Sequence, residues 1–329
     1  MLFRSVFVDD ITLACSDGAK IDSVVQELSQ HFKLRDLGPT TQLLGIQIHR
    51  DRPNRRLSIS QSQFISNLLQ EHNLSDCKPV STPLNPGTRL STSMCAQNAS
   101  AASDMQQHPY ISLVGSLMFL AITTRPDIAY AVGVLARFNS NPGLAHWQAA
   151  KHVLRYLKGT MDQKLVYQPS TSPEPFITYS DADHGGNPDN GKSTGGFVVK
   201  MGSGVVSWSS KLQPLVALST TEAEHISAVE VGKEILWMRQ FMGELGYTIS
   251  GPSLLRMDNQ SAIAVNKNPE HHSKMKHLSL HPFWLRDAVQ DGLIAPTFVA
   301  THDMAADIFT KALDCTKLQN CAAMLGLFS

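Results

Sequence analysis

The 329-residue chain has no net charge: 28 Lys and Arg balance 28 Asp and Glu, and charged residues are only 17% of the total. Bulk charge therefore gives no attraction to a polyanion, and any nucleic-acid contact must come from local patches. Cysteine is sparse. Five stand at 15, 77, 95, 315 and 321 with no Cys-x-x-Cys pair, which argues for a reducing compartment and against a structural zinc site. Long hydrophobic runs are missing as well. The longest, near Leu117 to Ile122, is far too short to span a bilayer, so no membrane partner is expected. The first residues carry one Arg and a short apolar run before Asp9-Asp10, which is not a secretory signal. A cytoplasmic location is the expectation, with the nucleus as the alternative. What is present is 42% apolar content, on a length that suits two or three domains and a sizeable core.

The most informative stretch is Phe176 to Asp183, Phe-Ile-Thr-Tyr-Ser-Asp-Ala-Asp. Ile177, Tyr179 and Asp181 alternate with Thr178 and Ser180, so it reads as a strand ending on a carboxylate. A buried Asp is costly unless something cationic meets it. Three further acids sit in comparable places. Glu224 lies near the start of a helix expected from about Ser219 to Leu245, and heads an apolar stripe through Ala228, Val231, Ile235, Met238 and Met242. Glu222 heads a stripe that meets Lys233 and suits a capping box with Ser219; Thr221 with Glu224 is the alternative box. Asp258 ends a second strand, Leu254 to Asp258, where it is either an N-cap or, in a parallel neighbour of the first strand, close to Asp181. Asp307 falls in the first turn of a helix expected over Met304 to Leu313, where an acid also suits the helix dipole.

Elsewhere the chain alternates between short strands and helices. Met1 to Leu13 reads as a hairpin turning at Asp9-Asp10, either an ordinary Asp-rich turn or a pair of metal-binding carboxylates. A helix is expected over residues 20–33, strand-like sequence over Lys33 to Arg50, then a short strand and a helix within Leu57 to Leu74. Pro79 to Gln107, rich in Ser, Thr, Asn and Pro, reads as a linker or extended loop. From Tyr110 to Thr160 the pattern is helical. Pro126 starts one helix, Asn141-Pro142-Gly143 breaks the next, and Lys151, Arg155 and Lys158 suit a helix C-terminus or, alternatively, phosphate. Gly196 to Met201 and Val205 to Trp208 flank Gly202-Ser203-Gly204 as a hairpin. His271, His272 and His277, with Lys274 and Lys276, read as a solvated or phosphate-facing loop rather than a metal site, and His184 as structural.

Several segments, in order, resemble the polyprotein of copia-type LTR retrotransposons. They are Phe7-Val8-Asp9-Asp10, similar to the Tyr-x-Asp-Asp box of reverse transcriptases; Asp36-Leu37-Gly38 with Leu44-Gly45-Ile46; and Ser112 to Leu117. Thr124 to Ala129, His152 to Thr160, Ser219 to Glu224 and Ala306 to Lys311 continue the series. The similarity runs nearly end to end. It implies an α/β protein. A ribonuclease H-like fold, a mixed five-stranded sheet with flanking helices, would occupy residues 174–314. Before it would come the end of a reverse-transcriptase palm and thumb-like region (1–78), a linker (79–108) and a helical connection region (109–170), with a tail at 315–329.

By this resemblance, Asp181, Glu224, Asp258 and Asp307 would bind two Mg²⁺ or Mn²⁺ ions, Asp307 as the fourth ligand. Two divalent ions can activate a water and stabilise the leaving oxygen of a phosphodiester. The implied reaction is cleavage of the RNA strand of an RNA–DNA hybrid, with other parts of the polyprotein as further partners. Asp9 and Asp10 would be a vestigial polymerase metal site without polymerase activity. The chain departs from the usual pattern at Ser279, His281, His225 and Lys311-Ala312-Leu313, so an inactive nucleic-acid-binding relic is the alternative. Another nuclease or an integrase on the same fold would typically use three acids.

Overall fold

The computed structural model describes residues 2–267 and 281–329, so the loop with His271, His272 and His277 lies outside the described residues, as does Ser279. Two compact units are found, Met1–His49 and Arg50–Ser329. Among the described residues no helix is long and apolar enough to cross a membrane.

In the first unit β1 (Leu2–Phe7) and β2 (Asp10–Cys15) form an antiparallel hairpin with Phe7 opposite Asp10. α1 (Gly18–His31) is capped by the Asp17 side chain, which accepts from the Ala19 N–H. The strand-like stretch after it is a second hairpin, β3 (Gln42–Leu43) and β4 (Ile46–Asp51), the last two residues of which belong to the second unit. Its turn residues Leu44 and Gly45 both have positive φ, 51° and 78°, the twist that a two-residue hairpin loop needs.

The second unit begins with β5 (Arg56–Ser60) and α2 (Ser62–Glu71). The segment expected as a linker instead contains α3 (Ala99–Gln106), capped by Asn98, and buries Leu84, Leu90 and Met105. Helices α4 (Tyr110–Thr123), α5 (Ala129–Ala136) and α6 (Leu144–Gly159) follow, with Pro126 opening a 3-10 turn that leads into α5. Ile65, Leu68 and Leu69 of α2 join Leu113, Leu117, Leu135, Leu154 and Leu157 in one core. The two compact units meet between residues 49 and 50, and the apolar face of α2 is buried with the connection helices. The basic residues of α6 act locally. Arg155 Nε donates to Lys78 O at 2.9 Å, Lys158 Nζ donates to Ser75 O, and Lys151 lies over the Trp147 ring.

After β6 (Lys164–Tyr167) come β7 (Ile177–Ala182), β8 (Thr194–Met201), β9 (Gly204–Leu212), α7 (Thr220–Glu244), β10 (Ser253–Met257), α8 (Gln260–Lys267), α9 (His281–Gln290) and β11 (Ile294–Phe298). The sheet order is β11-β10-β7-β8-β9. β7, β8 and β9 are antiparallel neighbours, whereas β10 runs parallel to both β7 and β11. This mixed five-stranded sheet is the ribonuclease H-like arrangement. One face carries Val199, Leu255 and Met257 against Ala228, Val231 and Ile235 of α7. The other carries Tyr179 and Val198 against the core of the connection helices.

Two expectations near the C-terminus change. Residues 304–313 do not form one α-helix; a five-residue 3-10 turn, Ala305–Phe309, stands there, with all five residues buried. A segment buried on every side has no solvent face to set a helical period, and the dipole argument for Asp307 lapses with the helix. The expected tail is α10 (Cys315–Met324) and β12 (Leu327–Phe328). β12 pairs antiparallel with β6, which pairs with β5, so the tail is part of the second unit's core.

Candidate metal centre

β7 carries Asp181 opposite Gly196 of β8, and a side chain at 196 would meet Phe309 Cβ at 2.6 Å. Glycine is thus needed there for the 305–310 segment to lie against the sheet beside Asp181. β10 pairs with β7 in register Arg256 to Tyr179, so Asp258 follows Arg256 by as much as Asp181 follows Tyr179. Asp258 is not the cap of α8. Asn259 is, its Oδ1 accepting from the Ala262 N–H at 3.0 Å. Asp258 Oδ2 instead accepts from Thr301 Oγ1 at 2.9 Å.

On α7 the two acids separate as the apolar stripes require. Ser219 Oγ accepts from the Glu222 N–H, and Glu222 Oε2 accepts from the Leu218 N–H at 2.9 Å. Glu222 is a capping residue. Glu224, 5% exposed, points to the sheet end, and its Oε2 has no hydrogen-bond partner. Asp181, Glu224 and Asp258 each bring a carboxylate oxygen to within 4.8 Å of the others. Among the described residues they are the one group of three or more acids, His or Cys so arranged.

Asp307 lies beside Asp181 but outside that mutual distance. It is fully buried, with Oδ1 2.5 Å from Lys311 Nζ and Oδ2 paired with Lys317 of α10. Lys311 Nζ is also 3.9 Å from Asp181 Oδ2, which accepts from Thr310 Oγ1 at 2.6 Å.

The charges are strongly coupled. Burial, then the neighbouring Asp181 and Asp258, push the Glu224 carboxyl up to about 10. Burial and Asp307 push Asp181 up to about 6, with Lys311 opposing. Burial would also raise Asp307, but its hydrogen bond to Asp181 and its two lysines outweigh that and hold it below the usual range. A buried carboxylate cluster of this kind is costly without a cation. The unpartnered Glu224 oxygen and the all-oxygen donor set fit a hard divalent ion such as Mg²⁺ or Mn²⁺. Sequence reasoning missed Thr301, Thr310, Lys311 and Lys317. Lys311 stands four residues after Asp307, a spacing at which helical neighbours pair; nothing in the sequence links Lys317 to the site.

His225, next to Glu224, is 1% exposed, with Nδ1 2.5 Å from Asn266 Oδ1. Burial lowers it to about 4, so it is neutral. His184 is exposed. Asp9 lies in the β1–β2 loop and Asp10 opens β2, both exposed. Val8 beside them has φ 51°, a region costly for a β-branched residue.

The sheet order and the acids at its strand ends define a ribonuclease H-like domain within a longer reverse-transcriptase-related chain. Residues 1–86 match the family model for reverse transcriptase (RNA-dependent DNA polymerase). The chain is 41% identical over 325 residues to the retrovirus-related Pol polyprotein from transposon TNT 1-94 of Nicotiana tabacum, covering 98% of this chain and 24% of that protein. It is 36% identical over 327 residues to the Pol polyprotein from transposon RE1 of Arabidopsis thaliana, covering 99% and 22%. A putative transposon Ty5-1 protein of Saccharomyces cerevisiae is 36% identical over 237 residues, 71% of this chain and 74% of that protein. The chain thus belongs to the retrovirus-related Pol polyproteins of copia-type retrotransposons, and it spans about a quarter of the length of the two plant relatives. Among solved structures, the N-terminal RNase H domain of a Mycobacterium tuberculosis protein is similar at 13% identity and TM-score 0.28, covering 45% of this chain and 95% of that one. LC11-RNase H1, solved with an RNA/DNA hybrid, is similar at 12% identity and TM-score 0.29, covering 41% and 93%.

Proposed function

We propose that this chain is a divalent-metal-dependent ribonuclease H that hydrolyses the RNA strand of RNA–DNA hybrids. The observation that carries the reading is the convergence of Asp181, Glu224 and Asp258, from two parallel strand ends and the helix packed on them, to within 4.8 Å. Mg²⁺ or Mn²⁺ bound there would supply an activated water and a Lewis acid for the leaving oxygen. Asp181 and Asp258 would hold the ion against the sheet end, and Glu224 would close the site from α7. Thr310 and Thr301 fix the first two carboxylates by hydrogen bonds. The 2′-hydroxyls of the RNA strand, displayed in a shallow minor groove, would distinguish it from DNA. We place the activity in the cytoplasm, alongside other parts of the polyprotein. Polymerisation is not part of the proposal: among the described residues Asp9 and Asp10 have no third carboxylate with them.

The test is cleavage of a strand-labelled RNA–DNA hybrid by purified protein, with Mg²⁺ and then with EDTA, beside Asp181→Asn. Cutting of the RNA strand alone, lost in EDTA and in the variant, is expected. Folded protein that binds the hybrid in Mg²⁺ but leaves both strands intact would refute the enzyme and favour a binding relic.

A further inference from the structure

We propose that the Lys311 ammonium is the resident second cation of this centre, so that the substrate-free protein holds one divalent ion rather than two. The inference rests on the ribonuclease reading and sharpens its metal requirement. Asp181 is shared between two groups of charges. On one side it faces Glu224 and Asp258, within 4.8 Å, where the unpartnered Glu224 Oε2 awaits a cation. On the other side it faces Asp307, and between these two carboxylates a cation is already in place. Lys311 Nζ lies 2.5 Å from Asp307 Oδ1 and 3.9 Å from Asp181 Oδ2.

The second oxygen of Asp307 is also taken. Lys317 reaches it from α10, a helix anchored by Leu318, Cys321 and Ala322 in the same core as Ile308 and Phe309. A divalent ion bridging Asp181 and Asp307 would therefore have to displace one ammonium from a fully buried carboxylate. Both ammonium groups are partly exposed, but each meets a carboxylate with no exposed surface, so the entering ion gains only the difference between its own attraction and theirs.

The charge count agrees. Four carboxylates are met by two lysines, and a single divalent ion closes the balance. A second divalent ion would leave two uncompensated positive charges around Asp307, which has no exposed surface to screen them. Lys311 remains 45% exposed. Its side chain is thus partly open to solvent and within reach of a bound phosphodiester. There it would hold a non-bridging phosphate oxygen, the role of a fixed cation beside a developing charge.

The experiment counts ions without asking for turnover. Metal-free full chain is titrated with Mn²⁺, and bound ion is measured from the loss of the free-ion electron paramagnetic resonance signal. One Mn²⁺ per chain is expected for the native protein and for Lys311→Arg, two for Lys311→Met, and none for Asp181→Asn. Two ions on the native protein would overturn the inference while leaving the ribonuclease reading to its own cleavage assay. An unchanged count of one in a folded Lys311→Met would overturn it equally. No bound Mn²⁺ on the native protein would overturn both. Should Lys311→Met fail to fold, the native count alone still decides.

Discussion

Replacing Glu224 by Gln should stabilise the metal-free protein while abolishing its metal response. The Glu224 carboxyl has an ordinary value of 4.5 and stands at about 10 in the folded chain, raised first by burial and then by Asp181 and Asp258. A carboxyl whose folded value is raised favours folding only while both states are protonated. That contribution is complete below pH 4.5 and is lost progressively as pH rises towards 10. At pH 7 the chain must take up a proton to fold, and each unit between 4.5 and 7 costs about 1.4 kcal/mol, so the upper bound is about 3 kcal/mol. Gln has nearly the same shape and needs no proton. In EDTA, Glu224→Gln should therefore gain up to about 3 kcal/mol at pH 7, about 6 kcal/mol at pH 9, and little at pH 4.5. Urea unfolding followed by tryptophan fluorescence is the assay, since Trp147, Trp208, Trp237 and Trp284 all lie in the second unit. Saturating Mg²⁺ should raise the unfolding midpoint of the native chain and leave the variant's unmoved. A variant destabilised by the same amount at every pH would refute the reasoning, because Glu224 would then act through ordinary hydrogen bonding.

Two further outcomes concern the scaffold. Arg125 and Asp127, 1% and 0% exposed, are bidentate partners at 2.7 and 3.0 Å, and Tyr156 and Thr160 complete the network. Asp127→Leu should cost about 3–5 kcal/mol in urea unfolding, and Arg125→Met with Asp127→Leu clearly less; equal losses would show that packing, not the stranded charge, sets the cost. His146 and His152 are both lowered by burial below the ordinary 6.5. The unfolded chain then binds their protons first, so stability is full above pH 6.5 and falls as pH drops below it, by up to about 1.4 kcal/mol per pH unit for each histidine. A pH series on His146→Gln with His152→Gln should show that slope flattened.

Much of the sheet was legible because period and punctuation agree there. Alternation put Asp181 at the end of β7, and Gly202-Ser203 closes the β8–β9 hairpin with Gly202 at φ 59°. The apolar stripe below Glu224 is buried at Ala228, Val231, Ile235, Met238 and Met242, while Lys233 interrupts the stripe below Glu222. Local pattern settles such elements because one face must be apolar. The segment 79–108 obeys no period because distant residues hold it. Val80 N–H donates to Arg155 O, and Thr92 N–H donates to both oxygens of Asp189. Contacts 75 or 97 residues away leave no trace in a local window. The helix in the expected tail is a different matter. Asp314 caps it through the Lys317 N–H, and Leu318, Cys321, Ala322 and Leu325 recur at helical spacing; that signal was present in the sequence.

The carboxylates divide along the same line. Types and strand ends are local properties, and they identify the acids; which acids share a cation is not local. Asp307 was grouped with the other three on its family string, yet its environment is set by Lys317, ten residues on and in a helix that packs from outside the sheet. A carboxylate flanked by two ammonium groups is held ionised without metal, whereas Glu224, with no basic partner, is not. The demand for a metal ion therefore falls unevenly across the site. It is greatest at Glu224, whose buried Oε2 has no hydrogen-bond partner and whose raising influences include no basic neighbour. It is least at Asp307, where ion pairs already supply what a metal would. Any divalent ion entering the site should be drawn first to the Asp181–Glu224–Asp258 side, because relief of the protonation cost at Glu224 adds to the ion's binding there and nowhere else.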